Sequence, residues 1–69
     1  MKINKITEKL KELRAEKQEP QRAVAKFLGV VESAYANYEQ GRTEPNLDTL
    51  IKLAEYFNVT TDYLLGLED

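Results

Sequence analysis

The side chains that could do chemistry in this sequence are carboxylates, hydroxyls, amides and basic groups, because the chain contains neither histidine nor cysteine. Their absence excludes thiolate metal sites, disulfides and an imidazole base that titrates near neutral pH. The sequence shows no glycine-rich phosphate loop and no spaced pair of acid and base carboxylates. It therefore predicts no enzyme, no metal, no cofactor and no evident small-molecule ligand.

Polar side chains at helical spacing are concentrated in residues 31–40. The face of this run predicted to point inward carries Ala34, Tyr35 and Tyr38, together with Val30 just before it. The outward face carries Glu32, Ser33, Ala36, Asn37 and Gln40. In a DNA major groove, a carboxylate accepts from the cytosine amino group and an asparagine suits adenine. We interpret Glu32, Ser33, Ala36 and Asn37 as candidate base-reading residues, while Glu32 also fits a solvated first-turn acid that favours the helix dipole.

These residues belong to a larger unit, residues 20–41, which is predicted to form two helices joined by a tight turn. The first helix places Val24, Ala25, Phe27 and Leu28 on one apolar face. Gly29 follows where a left-handed residue would end it, and the second helix stops at Gly41. With a small residue at the crossing, here Ala25, such a pair presents its second helix to a major groove. A helical hairpin without a ligand has the same spacing, so spacing alone leaves both interpretations open.

Two further helices are predicted on either side of this unit. One is capped by Asn4 and runs to about Lys17, with Ile6, Leu10 and Leu13 buried. The other covers residues 47–57, is capped by Asn46, and is predicted to bury Leu47, Leu50, Ile51, Leu53, Ala54 and Phe57. With a last helix near the C-terminus, the 69 residues are predicted to form one all-α domain of five helices, residues 1–69.

The last helix starts at Thr60 and ends at Gly66. Its apolar content, together with nearby residues, exceeds what so short a helix needs: Tyr56, Tyr63, Leu64, Leu65 and Leu67. This cluster either closes the core or forms the contact of a twofold homodimer, and we predict the homodimer.

An ordered set of motifs resembles the Cro/CI-repressor, or Xre-like, family of helix-turn-helix regulators. The set consists of Gln21, Ala25, LGV at 28–30, YxxYExG at 35–41, Pro45, LxxLA at 50–54 and VTTDYLLG at 59–66. No single piece is specific, but the order and the spacings together are, and they cover nearly the whole chain. The resemblance implies a compact five-helix, lambda-repressor-like DNA-binding domain of a transcriptional regulator, with repression as the expected mode.

The resemblance also implies roles for individual residues. It pairs Arg14 with Glu39 at the end of the second motif helix, and it gives Gln21 a phosphate contact through its side chain and backbone N–H. Polar residues after that helix touch phosphate in the family, which here indicates Arg42 and Thr43. Further phosphate contacts, which carry no sequence information, are expected from Arg22, Lys26 and Gln40.

Three positions depart from the family pattern. Glu19 and Pro20 stand where the family usually has a hydrophobic residue and then a Ser or Thr cap, so the first motif helix is expected to lack a side-chain cap. Val31 stands at the cap of the second, where its side chain cannot accept from N–H groups but could touch a thymine methyl. These departures keep open an alternative function, a protein-interaction module with this fold and weak or no DNA binding.

The net charge of −2 argues mildly against a nucleic-acid ligand, but its distribution matters more. Residues 1–19 carry six basic and four acidic side chains, whereas residues 46–69 carry one basic and five acidic ones. Acidic charge at the far end of the chain is compatible with phosphate binding elsewhere. No stretch approaches the roughly 20 apolar residues of a membrane span, and the N-terminus lacks a signal-peptide core, so a cytoplasmic protein is expected.

The favoured function is sequence-specific binding of double-stranded DNA, with residues 31–40 as the recognition helix in the major groove. A homodimer would present two such helices, so the expected partners are a second copy of the chain and a palindromic operator.

Overall fold

The computed structural model describes residues 5–68, and every regular element in that range is an α-helix. The helices are α1 (Ile6–Lys17), α2 (Gln21–Leu28), α3 (Glu32–Gln40), α4 (Leu47–Phe57) and α5 (Thr61–Leu65). This architecture confirms the predicted all-α fold of five helices within the described range. None of these helices combines the length and the apolar character needed to cross a bilayer.

The helix ends follow the predicted signals in most places. Asn46 and Thr60 cap α4 and α5, because each side chain accepts from the backbone N–H three residues on, at 2.9 and 3.0 Å. At α1, Lys5 occupies the N-cap position without a capping side-chain hydrogen bond, and the predicted cap Asn4 lies outside the described residues. The starts of α4 and α5 are thus set locally by their own cap residues.

The core is formed by apolar side chains from all five helices. Those that are buried are Ile6, Leu10, Leu13, Val24, Ala25, Leu28, Tyr35, Leu53, Ala54, Phe57 and Leu64. Burying one Leu or Val side chain completely is worth about 1.5–3 kcal/mol relative to leaving it exposed. Through these side chains α3 packs against α1 and α2, while α4 packs against α2 and α5.

Three apolar side chains that the helical periodicity assigns to buried faces are exposed instead. Leu47 is 71% exposed and Ile51 is 42% exposed, because both lie on one edge of α4, beside the row formed by Leu53 and the other buried residues. Phe27 is 48% exposed, since its ring leans on the Tyr56 ring at a centroid distance of 4.9 Å. The predicted burial of these three side chains is therefore wrong.

Candidate nucleic-acid interface

A tight turn at Gly29 sets α3 against α2. Gly29 has a φ of 77°, in the left-handed region, and the next N–H, of Val30, donates to the Ala25 carbonyl at 3.0 Å. Position 29 favours glycine because of this left-handed backbone and not because of crowding, since a Cβ there would have no described atom within 4 Å. Ala25 is only 2% exposed, and its small side chain allows the two helices to approach each other.

The helix α3 begins after Val31 without a side-chain cap, as predicted. Val31 has the extended backbone of an N-cap residue, with φ −73° and ψ 157°, and its carbonyl accepts from the Ala34 N–H at 3.0 Å. The Val31 side chain makes no capping hydrogen bond and is 69% exposed. Pro20 likewise precedes α2 without a side-chain cap. Both helices of the unit therefore start uncapped, and the Val31 methyl groups lie at the surface.

The helix α3 has one face that is buried and an opposite face that reaches the surface. Tyr35 and Glu39, one turn apart, are buried, and Tyr38 lies edge-on to the Tyr35 ring at a centroid distance of 6.3 Å. On the other face, the four predicted base-reading residues reach the surface: Glu32 and Ser33 are exposed, and Ala36 and Asn37 are partly exposed. Their spacing places these four side chains on successive turns of one helix face. We call this set the outward face of α3.

Arg14 joins the end of α3 to α1. Its Nε donates to Glu39 Oε2 at 2.7 Å, and its Nη2 donates to Glu39 Oε1 at 3.0 Å, which makes a two-point ion pair. The Glu39 side chain is only 3% exposed, and that of Arg14 is 25% exposed. The structure thus brings together the two residues that the family resemblance pairs.

The same pair also reaches the start of α2. Arg14 Nη1 donates to the Glu19 carbonyl at 3.0 Å, and Gln21 Nε2 donates to Glu39 Oε1 at 3.1 Å. The beginning of α2 and the end of α3 are therefore connected through one guanidinium and one carboxylate. Because an amide nitrogen carries two hydrogens, the Gln21 side chain retains a second donor that a phosphate could accept from.

Electrostatics favours the charged forms of this ion pair. Burial acts to raise the Glu39 pKa, but the hydrogen bonds from Arg14 and Gln21, together with the nearby Tyr35 hydroxyl, outweigh burial and hold that pKa below its usual value. The hydrogen bond to Glu39 raises the pKa of Arg14. Burial raises the pKa of the Tyr35 hydroxyl, which among the described residues has no hydrogen bond of normal geometry. Tyr35 therefore stays neutral beside an ionised pair.

The candidate phosphate contacts lie on α2 and at the end of α3. Arg22 and Lys26 are exposed on α2, one turn apart, and Gln21 is partly exposed at its start. After α3, the Arg42 N–H donates to the Asn37 carbonyl at 3.0 Å, so the backbone folds back on the helix. The side chains of the predicted contacts Gln40, Arg42 and Thr43 are all exposed here, as is that of Glu44. Within residues 5–68, the His, Cys, Asp and Glu side chains form no group of three that could hold a metal ion.

The residues predicted to form a dimer contact are not equally available at the surface. Leu64 is fully buried in the core, so its predicted contact with a second chain is wrong. Tyr56, Tyr63 and Leu65 are partly exposed, and Leu67 is 60% exposed. Leu64 is the fourth residue of the five-residue α5 and its one buried residue, so burial of this side chain docks the short helix on the core.

One contact beside the interface was missed by sequence reasoning. The Tyr56 hydroxyl, on α4, donates to Glu19 Oε1 just before the start of α2. This hydrogen bond to Glu19, together with burial, raises the pKa of Tyr56 to about 12. The available signal was Glu19 itself, a carboxylate where the family resemblance leads one to expect an apolar residue.

Two helices joined at Gly29, one of them anchored on one face and exposed on the other, define a helix-turn-helix domain. A helix-turn-helix family model matches residues 10–64 of the chain. The chain therefore belongs to the helix-turn-helix family of the Xre and Cro/CI type, which confirms the resemblance.

Known relatives and structures agree with this assignment. The chain is 45% identical to the SPbeta prophage-derived HTH-type transcriptional regulator YonR of Bacillus subtilis (strain 168) over 58 residues, which are 84% of this chain and 54% of YonR. It is 39% identical to the HTH-type transcriptional regulator ImmR of the same organism over 64 residues, 93% of this chain and 50% of ImmR. The chain thus spans about half the length of the curated relatives it matches.

The fold is also similar to that of the P22 c2 repressor protein, whose crystal structure contains a synthetic operator, 9T. The TM-score is 0.84 and the sequence identity is 30%, and the match covers 91% of this chain and 96% of that chain.

Proposed function

We propose that this chain is a DNA-binding transcriptional regulator that recognises a double-stranded operator in a sequence-specific way and acts as a repressor. The observation that carries this function is the division of α3 into two faces. Tyr35 and Glu39 lock one face to the rest of the fold, while the outward face is open to a ligand. A helix held in this way enters a major groove as a rigid unit. The similar P22 c2 repressor binds a synthetic operator, which supports the same class of ligand here.

Base recognition is assigned to the outward face of α3. Glu32, in the first turn, accepts from the amino group of a cytosine, and Asn37, one turn further, pairs with the edge of an adenine. Ser33 and Ala36 lie between them, and the exposed methyl groups of Val31 reach a thymine methyl.

Affinity that does not depend on sequence comes from phosphate contacts beside this face. Arg22, Lys26 and Arg42 supply the positive charges, and the polar partners are Gln21, Gln40 and Thr43. Each neutralised phosphate contributes about −0.9 to the slope of log affinity against log salt, so three cations give a slope of about −3 for one domain. Charge alone therefore gives modest affinity, and base contacts must supply the rest.

Two copies on a palindromic operator would double these contacts. We propose that the chain acts as a homodimer, with its two recognition helices about 34 Å apart on one face of the DNA. Leu67, Leu65, Tyr56 and Tyr63 remain the candidate contacts, because each keeps exposed surface. Sedimentation should show two chains on each palindromic duplex, whereas one chain per duplex at high protein concentration would contradict the dimer. We place a regulator of this kind beside the DNA, in the cytoplasm.

Selection of bound duplexes from a random DNA pool tests this function. The enriched sequences should share a half-site, and the selected duplex should bind at least about 10³-fold more tightly than a scrambled duplex at the same salt concentration. Equal affinity for both duplexes would instead favour the protein-interaction module.

Matched lysine variants then locate the interface. Lys26→Ala on α2 should weaken binding to both duplexes and reduce the salt slope by about 1. Lys52→Ala, which changes an exposed lysine on α4, should leave both quantities unchanged. If the two variants behaved alike, α2 would not be at the DNA.

A further inference from the structure

Glu19 and Pro20 precede α2. Neither residue supplies the side-chain cap or the apolar contact that usually fixes the direction in which a helix starts. Pro20, at the N-cap position, has no side-chain acceptor, and Glu19 replaces the apolar residue that would pack against the first turns of the helix. Glu19 is held by other bonds instead. Its carboxylate accepts from the Tyr56 hydroxyl, its N–H donates to the Arg14 carbonyl at 3.3 Å, and its carbonyl accepts from Arg14 Nη1 at 3.0 Å.

The position of the Glu19 carboxylate matters for any anion at the start of α2. The N-terminus of a helix carries partial positive charge and attracts a nearby carboxylate as readily as a phosphate. In this fold the carboxylate is bound to Tyr56, whose ring centroid lies 4.9 Å from that of Phe27, a residue near the other end of α2. Lys17 Nζ lies 5.2 Å from the same Tyr56 centroid and adds positive charge there. The Glu19 charge is therefore directed back along the side of α2, toward α4.

We propose that Glu19 and Tyr56 are positioning residues for DNA binding, an inference that rests on the proposed phosphate contacts of α2. Their hydrogen bond takes the place of a cap and an apolar staple: it fixes the direction in which α2 starts. It also keeps a negative charge away from the phosphate that Gln21 and Arg22 meet. Because phosphate contacts carry no base information, loss of this bond weakens binding to every DNA sequence by the same factor.

Anisotropy titrations of the selected duplex and its scrambled counterpart test this role. Tyr56→Phe removes one oxygen, keeps the aromatic contacts, and should weaken binding to both duplexes about fivefold, which is the effect of a unit charge at about 4 Å in water. Glu19→Gln keeps the acceptor without the charge and should bind at least as tightly as the wild type. In the Glu19→Gln background, Tyr56→Phe should then cause a smaller loss, because no charge is released toward the phosphate when the hydrogen bond is removed. Tyr38→Phe is the matched control, because Tyr38 is partly buried on the inward side of α3 and belongs to no proposed DNA or dimer contact, and it should change neither affinity.

Two results overturn the inference and leave the proposed function intact. One is unchanged affinity of Tyr56→Phe. The other is an equal loss with and without Glu19→Gln, which would mean that the Glu19 charge plays no part. A wild type that binds no duplex overturns the proposed function, and the inference with it. Circular dichroism melts check that each variant folds. If Tyr56→Phe does not fold, Glu19→Asp replaces it, because a carboxylate shortened by one methylene keeps its charge and no longer reaches Tyr56. Its affinity should fall by a similar factor, and wild-type affinity would contradict the inference.

Discussion

The Glu39 carboxylate lies 2.7 Å from the Arg14 guanidinium, although the Glu39 side chain is only 3% exposed. Removing a carboxylate from water costs several kcal/mol, and a two-point pair with further hydrogen bonds is needed to offset that cost. Arg14 and Gln21 provide those bonds from α1 and α2. The pair therefore fixes the end of α3 relative to two other helices, and the orientation of the outward face is set by residues on the opposite side.

Arg14→Met should destabilise the fold by about 3–5 kcal/mol, because it leaves the buried Glu39 charge without its partner. Urea denaturation measures the change. Arg22→Met is the matched control, since Arg22 is exposed, and it should stay within about 0.5 kcal/mol of the wild type. A wild-type free energy of unfolding for Arg14→Met would contradict a stabilising role for this pair.

Acid should weaken the fold through Glu39. Its pKa is lowered in the folded protein, so its contribution to stability is complete above the pKa of the unfolded state, about 4.3, and is lost as the pH falls through the lower folded-state value. The denaturation midpoint should therefore decrease as the pH is lowered from about 6 to about 3. Glu39→Gln should show a shallower dependence, whereas Glu32→Gln, which alters an exposed carboxylate, should keep the wild-type slope. Equal slopes for all three proteins would rule out Glu39 as the titrating group.

Helix positions could be predicted from the sequence better than the depth of burial. Glycine at positions 29 and 41 and the cap residues Asn46 and Thr60 are local signals, and each of them marks a helix end in the structure. Periodicity identifies the apolar face of α4 but does not say where the neighbouring helices stop covering it, which is why Leu47 and Ile51 are exposed.

Two helix ends carried weaker signals. Gln18 and Asn58 adopt left-handed φ values of 55° and 57° after α1 and α4, a conformation that Gly adopts most readily. Asparagine visits this region more often than most residues, but glutamine gives no such indication.

The contacts of the candidate site depend on residues far apart in the chain. Arg14 and Glu39 are separated by 25 positions, and only the family resemblance paired them. Glu19 and Tyr56 are separated by 37 positions and belong to no family motif, so their contact required the structure. The outward face of α3 could be predicted from the sequence, because the helical period of 3.6 residues alone determines which side chains share a face.

Val31→Ser should stabilise the fold by about 0.5–2 kcal/mol, because the serine hydroxyl accepts from an N–H in the first turn of α3. Val31 occupies the N-cap position and is 69% exposed, so little packing is lost. Thermal or urea denaturation measures the effect, and Val31→Ala, which also lacks an acceptor, should be nearly neutral. Destabilisation by serine would mean that the Val31 methyl groups are packed after all. Affinity for the selected duplex should fall in the same variant if Val31 contacts a thymine methyl.

Glu32→Gln should relax the sequence preference at one position of the half-site. A carboxylate beside phosphates costs affinity for every sequence, so its place in the first turn of the recognition helix is best explained by acceptance from a cytosine amino group. The glutamine side chain offers both an acceptor and a donor, and it therefore tolerates bases that the carboxylate rejects. The expected loss of discrimination is about 1–3 kcal/mol at that base pair, measured with a set of duplexes that vary the half-site one position at a time.

A change in affinity that is the same for every DNA sequence distinguishes a purely electrostatic role of Glu32 from a base contact. If Glu32 only favours the helix dipole, its neutralisation removes a repulsive charge and tightens binding to all DNA without altering the order of preference. Glu55→Gln, which neutralises an exposed carboxylate on α4, shows how much general tightening one charge gives at a distance from the proposed interface. A variant of Glu32 with wild-type preference and tighter binding to the scrambled duplex would remove Glu32 from the base-reading set and favour the protein-interaction module.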